Sequence, residues 1–301
     1  MLAHGPPEPL PTTPSPPHCS TLVVRIDFAM VIVMKTNRRF VLMALIVTAA
    51  FGRFSFADHD DLKQRFRARV LREVSEILVD GDSFQAAQHI QRVGGGPLRT
   101  AKVFEAVMTD LYWNRRDLGG VVTIATAGIH FALDRAYLVR DEQPDLAEEL
   151  RLAAKILAYN LGSYTWPGWN EPGIEIKATH LAIGMDAARA NLRLVKGLDK
   201  GPLARSRAHW LLGAHQLASN HAEARASFEV AHEKARKAGV PKERLLASGY
   251  IAIVLMREGK HGEGKQLLAE VRQKLGNAKD GHGDPLIKQI DTARAVFVPD
   301  T

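Results

Sequence analysis

The chain has 301 residues, 46% hydrophobic and 24% charged, with a formal charge of +7. That balance is globular rather than disordered and leaves apolar side chains for a sizeable core. Nor does the charge argue for nucleic acid, because residues 1–57 hold five of the 40 Lys and Arg but two of the 33 acids, leaving a net +4 for 58–301.

Residues 1–33 are proline-rich up to Pro17 and show no sustained period. At Met34 the pattern changes. Lys35, Arg38 and Arg39 form a basic flank, Phe40 to Gly52 an apolar run of thirteen residues, and Ser55-Phe56-Ala57 a small-residue cleavage signal. This is the grammar of a secretory signal peptide, too short in its apolar run to span a bilayer comfortably. Translation is therefore expected to start at Met34, with 1–33 a mis-called, disordered upstream segment. A signal peptide over 34–57, cut after Ala57, would deliver the chain to the periplasm or the extracellular space. An uncut N-terminal anchor is the alternative. The one cysteine, Cys19, lies upstream, so 58–301 has no disulfide staples.

From Asp60 the apolar period is helical. Leu62, Phe66, Val70, Val74, Ile77 and Leu78 share a face, and Ser83 can cap a second helix with Phe84, Ala87 and Ile90. Gly94-Gly95-Gly96-Pro97 breaks the chain. Leu98 to Arg116 and Leu118 to Leu138 read as the next pair, turning at Arg116-Asp117. The β-branched run from Val121 is assigned to helix because Ile129, Ala132 and Leu133 continue its face. Pro144 opens a helix to about Leu161, and another runs from about Ile176 to Leu198. Between them lies a long loop, 159–173, holding two of the four tryptophans and two of the five tyrosines.

Beyond Ala204 one pattern occurs twice, forty residues apart. Leu211 falls on Ile251, His221 on His261, Glu223 on Glu263, Ala224 on Gly264, Phe228 on Leu268 and Ala231 on Val271. The small, large, small residues at offsets of four and seven let two helices approach closely. Val121, Ala125 and Gly128 repeat those offsets, and Tyr112 and Trp113 sit late on the preceding helix. On these residues the chain resembles the tetratricopeptide repeats, although its interval exceeds their usual period of about 34 residues. The resemblance implies an all-α fold: a right-handed stack of antiparallel helical hairpins, a tetratricopeptide-like α-solenoid. The expected hairpins lie at about 60–94, 98–138, 145–198, 203–238 and 242–276, with a C-terminal capping helix at 284–297. It further implies a non-catalytic scaffold for a partner protein or peptide.

The long loop is the candidate binding site. Tyr159, Tyr164, Trp166 and Trp169 offer aromatic faces to a glycan or small molecule, and Asn170 and Glu171 offer directional hydrogen bonds. A loop that folds these rings onto the helices accounts for the same composition. No catalytic, cofactor or metal site is expected. Gly259 to Lys265 fits the start of a phosphate-binding loop, but Gln266 replaces the hydroxyl residue that would hold magnesium. His209, His215 and His221 recur at intervals of six, which scatters them around a helix. Glu171 and Glu175 are the pair an unrecognised hydrolase would use. No nucleic-acid partner, and no stable membrane span after leader cleavage, is expected.

Overall fold

In a computed structural model, the described residues are 57–79, 82–93, 95–277 and 283–298. The expected leader, apart from Ala57, and the upstream segment lie outside them. Eleven α-helices and no strand occur among the described residues: α1 Ala57–Val79, α2 Ser83–Val93, α3 Pro97–Asp110, α4 Leu118–Val139, α5 Pro144–Tyr164, α6 Ala178–Gly197, α7 Pro202–Ala218, α8 Ala224–Lys237, α9 Pro241–Arg257, α10 His261–Gly276 and α11 Gly283–Phe297. Each helix packs on the next. The odd-numbered helices also pack on one another, α3 on α5, α5 on α7, α7 on α9 and α9 on α11. That order of neighbours is the order of a helical solenoid.

Local chemistry sets where the helices begin and end. Pro97, Pro144, Pro202 and Pro241 each open an odd-numbered helix, where the missing N–H is no loss and the fixed φ suits the first turn. Four successive helices then close alike. Asp199, Asn220, Gly239 and Gly259, all at positive φ, follow α6 to α9. At each, two amides return to carbonyls of the last turn, as Asp199 N–H does to Lys196 and Lys200 N–H to Val195. These bonds satisfy acceptors that a helix end leaves open.

The two copies of the repeated pattern form α7 with α8 and α9 with α10. Ala224, Phe228 and Ala231 are buried, as are Gly264, Leu268 and Val271. The forty-residue shift holds along the helices but slips by one in the turns, where Asn220 matches Gly259, because α9 ends at Arg257, one residue earlier in the repeat than α7 at Ala218. Arg257 ties the copies together by donating to the Leu217 carbonyl at 3.0 Å and to the Asn220 side chain.

Two expectations are corrected. The helix expected from Leu98 to Arg116 ends at Asp110 and continues as a wide π-turn, Leu111–Arg115, before Arg116 reverses the chain at φ 57°. The loop expected at 159–173 starts later, since α5 runs on to Tyr164 and makes Tyr159 and Tyr164 helical.

Two main cores result. One gathers α1 to α5 around Phe104, Ile124 and Leu157, and the other gathers α6 to α11 around Trp166, Phe228 and Tyr250. In the first, Gly128 lets α4 meet α3: a Cβ there would stand 2.7 Å from the Phe104 Cβ and 3.1 Å from Leu157. Gly262 on α10 faces open space. Gly128→Ala is expected to destabilise by about 1–3 kcal/mol through overpacking. Gly262→Ala should stabilise by up to about 1 kcal/mol through helix propensity and a less mobile unfolded chain. Urea unfolding of the two variants checks the opposite signs.

Candidate functional site

The loop from Thr165 to Lys177 is organised by its indoles. Trp166, 1% exposed, donates its Nε1–H to the Ala214 carbonyl of α7 at 3.0 Å. Its ring meets Trp169, Trp210, Tyr250 and Phe297 at centroid distances of 5.0 to 5.9 Å. Trp169 donates to the Ser163 carbonyl at 2.8 Å, inside a one-turn 3₁₀ helix, Pro167–Trp169. The face of Trp166 therefore belongs to the core, where α11 and α9 close over it.

What the loop leaves open is a cleft of about 210 Å³ between itself and the π-turn, lined by Tyr112, Pro167, Asn170, Glu171, Ile174, Ile176, Val296 and an edge of Trp166. Tyr112 stacks on Tyr164 with ring centroids 4.1 Å apart, and Trp113 stands edge-on to Tyr112. Arg116 holds Glu171 at 2.6 Å and lies over the Trp113 ring. Both Arg116 and Asn170 are non-glycine residues in the left-handed region, and such backbone outliers concentrate at binding sites. Burial, with the Glu171 charge second, raises the Tyr112 pKa, so that phenol keeps its proton.

Of the expected site residues, Asn170 and Glu171 line this cleft and Tyr164 supports it through Tyr112. Trp166 and Trp169 brace its floor. Tyr159 lies apart, a helical turn from Lys155 and near Arg207 and Glu243. Tyr112, Trp113 and Arg116 complete the cleft from the preceding hairpin. Their signal was the aromatic pair beside a charged turn, but nothing local joins that turn to a loop fifty residues later. Glu171 is engaged by Arg116 and Glu175 is exposed. No group of three His, Cys, Asp or Glu that could hold a metal occurs among the described residues.

A second concavity is larger. It measures about 580 Å³ and runs along α6 over Ala178, Leu181, Ala182, Met185, Asp186 and Arg189, with Ser219 and His221 of the α7–α8 turn as its wall. Those six α6 positions follow at steps of three, one, three, one and three. They form one helical face, about 16 Å long at 1.5 Å per residue.

Of the three histidines spaced at six, His215 is fully buried. Its Nε2–H donates to the Gly162 carbonyl at 2.8 Å, and its Nδ1 has no partner among the described residues. Burial lowers its pKa from 6.5 to about 4, and burial with Lys196 and Lys234 does the same for His209. His221 instead is exposed, at the edge of the α6 groove.

Two outcomes follow. Trp166→Ala should cost about 3–5 kcal/mol, as for a large buried aromatic residue, measured by chemical denaturation. Because the folded pKa of His215 lies below its unfolded value, the unfolded chain takes up the extra proton. Stability is thus complete above about pH 6.5 and declines as pH falls towards 4, by about 3 kcal/mol from His215 alone. His215→Gln should flatten that decline, with His209 sustaining the remainder, in unfolding curves recorded from pH 7 to pH 4.

Compared with models of protein families, with curated proteins and with solved structures, the chain matches none.

Proposed function

We propose that this chain is an exported, non-catalytic scaffold, a right-handed stack of antiparallel hairpins of tetratricopeptide type, that holds a segment of a partner protein. The observation that carries the proposal is the α6 groove. Leu181 and Ala182 give it an apolar floor with Met185 buried at its base, and the Asp186–Arg189 pair, 3.2 Å apart, gives it a charged rim. α6 buries Gly184, Met185, Ala187, Ala188 and Asn191 against its neighbours, and leaves Leu181, Ala182, Asp186 and Arg189 at the surface for another molecule. A long shallow floor backed by a single helix suits an amphipathic helix with apolar residues at steps of three and four.

Among the described residues no helix is long and apolar enough to cross a membrane. Export itself is supported by the Met34–Ala57 pattern alone.

A second reading has its own observation. The cleft at Asn170 and Glu171 combines aromatic walls with a buried-edge ion pair and two left-handed backbone positions. At about 210 Å³ it falls below the ~300 Å³ where ligand pockets usually begin. It suits a single sugar ring or one side chain of the same partner.

A photo-reactive amino acid at Ala182, which is exposed on the groove floor, tests the first reading in the native cell envelope. One discrete adduct is expected, absent when Leu181 is changed to Arg. An adduct pattern equal to that from a probe at exposed Gly262 would refute the groove as a docking site.

A further inference from the structure

The seam between α5 and α7 is tight at one end and charged at the other. On α5, Lys155, Tyr159 and Gly162 follow at steps of four and three and so share a stripe. On α7, Arg207, Leu211 and His215 follow at steps of four and meet that stripe. At Gly162 the helices touch: an added Cβ would stand 2.9 Å from the Leu211 Cδ2, and the Gly162 carbonyl accepts from His215. Towards Lys155 the seam becomes charged.

Two of the three cations there are neutralised. Arg207 is held by Glu243 of α9 at 2.7 Å, and Lys200 by Glu148 of α5 at 3.0 Å. Lys155 is not. Its ammonium lies 5.7 Å from the Tyr159 ring centroid, and no carboxylate of the described residues pairs with it. Burial, then the charges of Arg207 and Lys200, lower its pKa. A half-buried cation facing other cations is a standing electrostatic cost that an anion would remove. Tyr159 keeps its proton, its pKa pushed up to about 12 by burial and then Glu243, and remains a donor at neutral pH.

We infer that the charged end of this seam binds a small oxyanion, a phosphate or a carboxylate, with Lys155 as its counter-charge and Arg207, Lys200 and Tyr159 around it. Since Glu243 and Glu148 already balance Arg207 and Lys200, one positive charge is uncompensated, which fits a singly charged group. No residue of the α6 groove takes part, so the two readings stand or fall separately.

Lys155→Met keeps the apolar stem beside Tyr159 and removes only the charge. Thermal unfolding of the full chain is followed while inorganic phosphate, or separately acetate, is titrated at an ionic strength held constant with sodium chloride. The native chain should show a saturable rise in Tm with at least one of them, about 5 °C at a hundred-fold excess over Kd. Which anion saturates identifies the group. Lys155→Met should show no such rise, and without anion it should melt at or above the native temperature. The proposal is overturned if neither anion acts beyond chloride, if the rise survives in Lys155→Met, or if that variant melts several degrees lower, which would make the lysine a packing residue.

Discussion

Everything in this fold turns on how closely α5, α6 and α7 approach at Gly162 and Gly184. A Cβ on Gly184 would stand 2.2 Å from the Thr165 hydroxyl oxygen and 2.3 Å from the His215 ring, so only hydrogen fits. That closeness puts the Gly162 carbonyl within reach of the buried His215 and the Ala214 carbonyl within reach of Trp166. Thr165 turns its hydroxyl back to the Leu161 carbonyl at 2.7 Å, so the last turn of α5 stays satisfied while buried. The core of α1 to α5 and the core of α6 to α11 meet at these residues. Ala187 packs in the first and its chain neighbour Ala188 in the second.

The aromatic loop takes its form from the same junction. Once the Trp166 indole is fixed to α7, its ring becomes the surface on which Trp210, Tyr250 and Phe297 assemble. The final helix is thereby drawn back to the middle of the chain, with Ile290 filling the space over Gly249 and Gln289 donating to the Tyr250 hydroxyl at 3.2 Å. Burying four large rings together is worth more than their separate areas, because edge-to-face geometry adds about 0.5–1.5 kcal/mol per pair. Asn170 and Glu171 are left at the margin, where the loop begins to meet solvent.

The helical course of the chain was legible in the sequence because apolar residues at steps of three and four carry it directly, as at Ala224, Phe228 and Ala231. The forty-residue echo similarly placed α7 to α10. Helix ends were legible where proline or glycine marks them, as at Pro144 and Gly239, and not where Asp199 or Asn220 takes the left-handed position in glycine's place. Their cost is small enough for other residue types to bear it, so the residue type does not announce the turn. The π-turn at Leu111–Arg115 left no local signal. For the candidate site the limit was distance along the chain. Composition located the aromatic loop but could not say that Trp166 faces inward, since its partners Trp210, Tyr250 and Phe297 belong to three other helices. Arg116 with Glu171, and Lys155 with Arg207, are likewise meetings that only the packing of hairpins produces.

Those meetings bear on where binding can occur in such an array. Helices held on both sides carry side chains at fixed positions, which recognition requires, and α5 and α6 each pack between two neighbours. Each carries one stretch that reaches the surface: on α6 Ala178, Ala182, Asp186 and Arg189, and on α5 the stripe from Gly162 back to Tyr159 and the half-buried Lys155. The glycines that join the two cores thus hold in place the helices that carry both stretches.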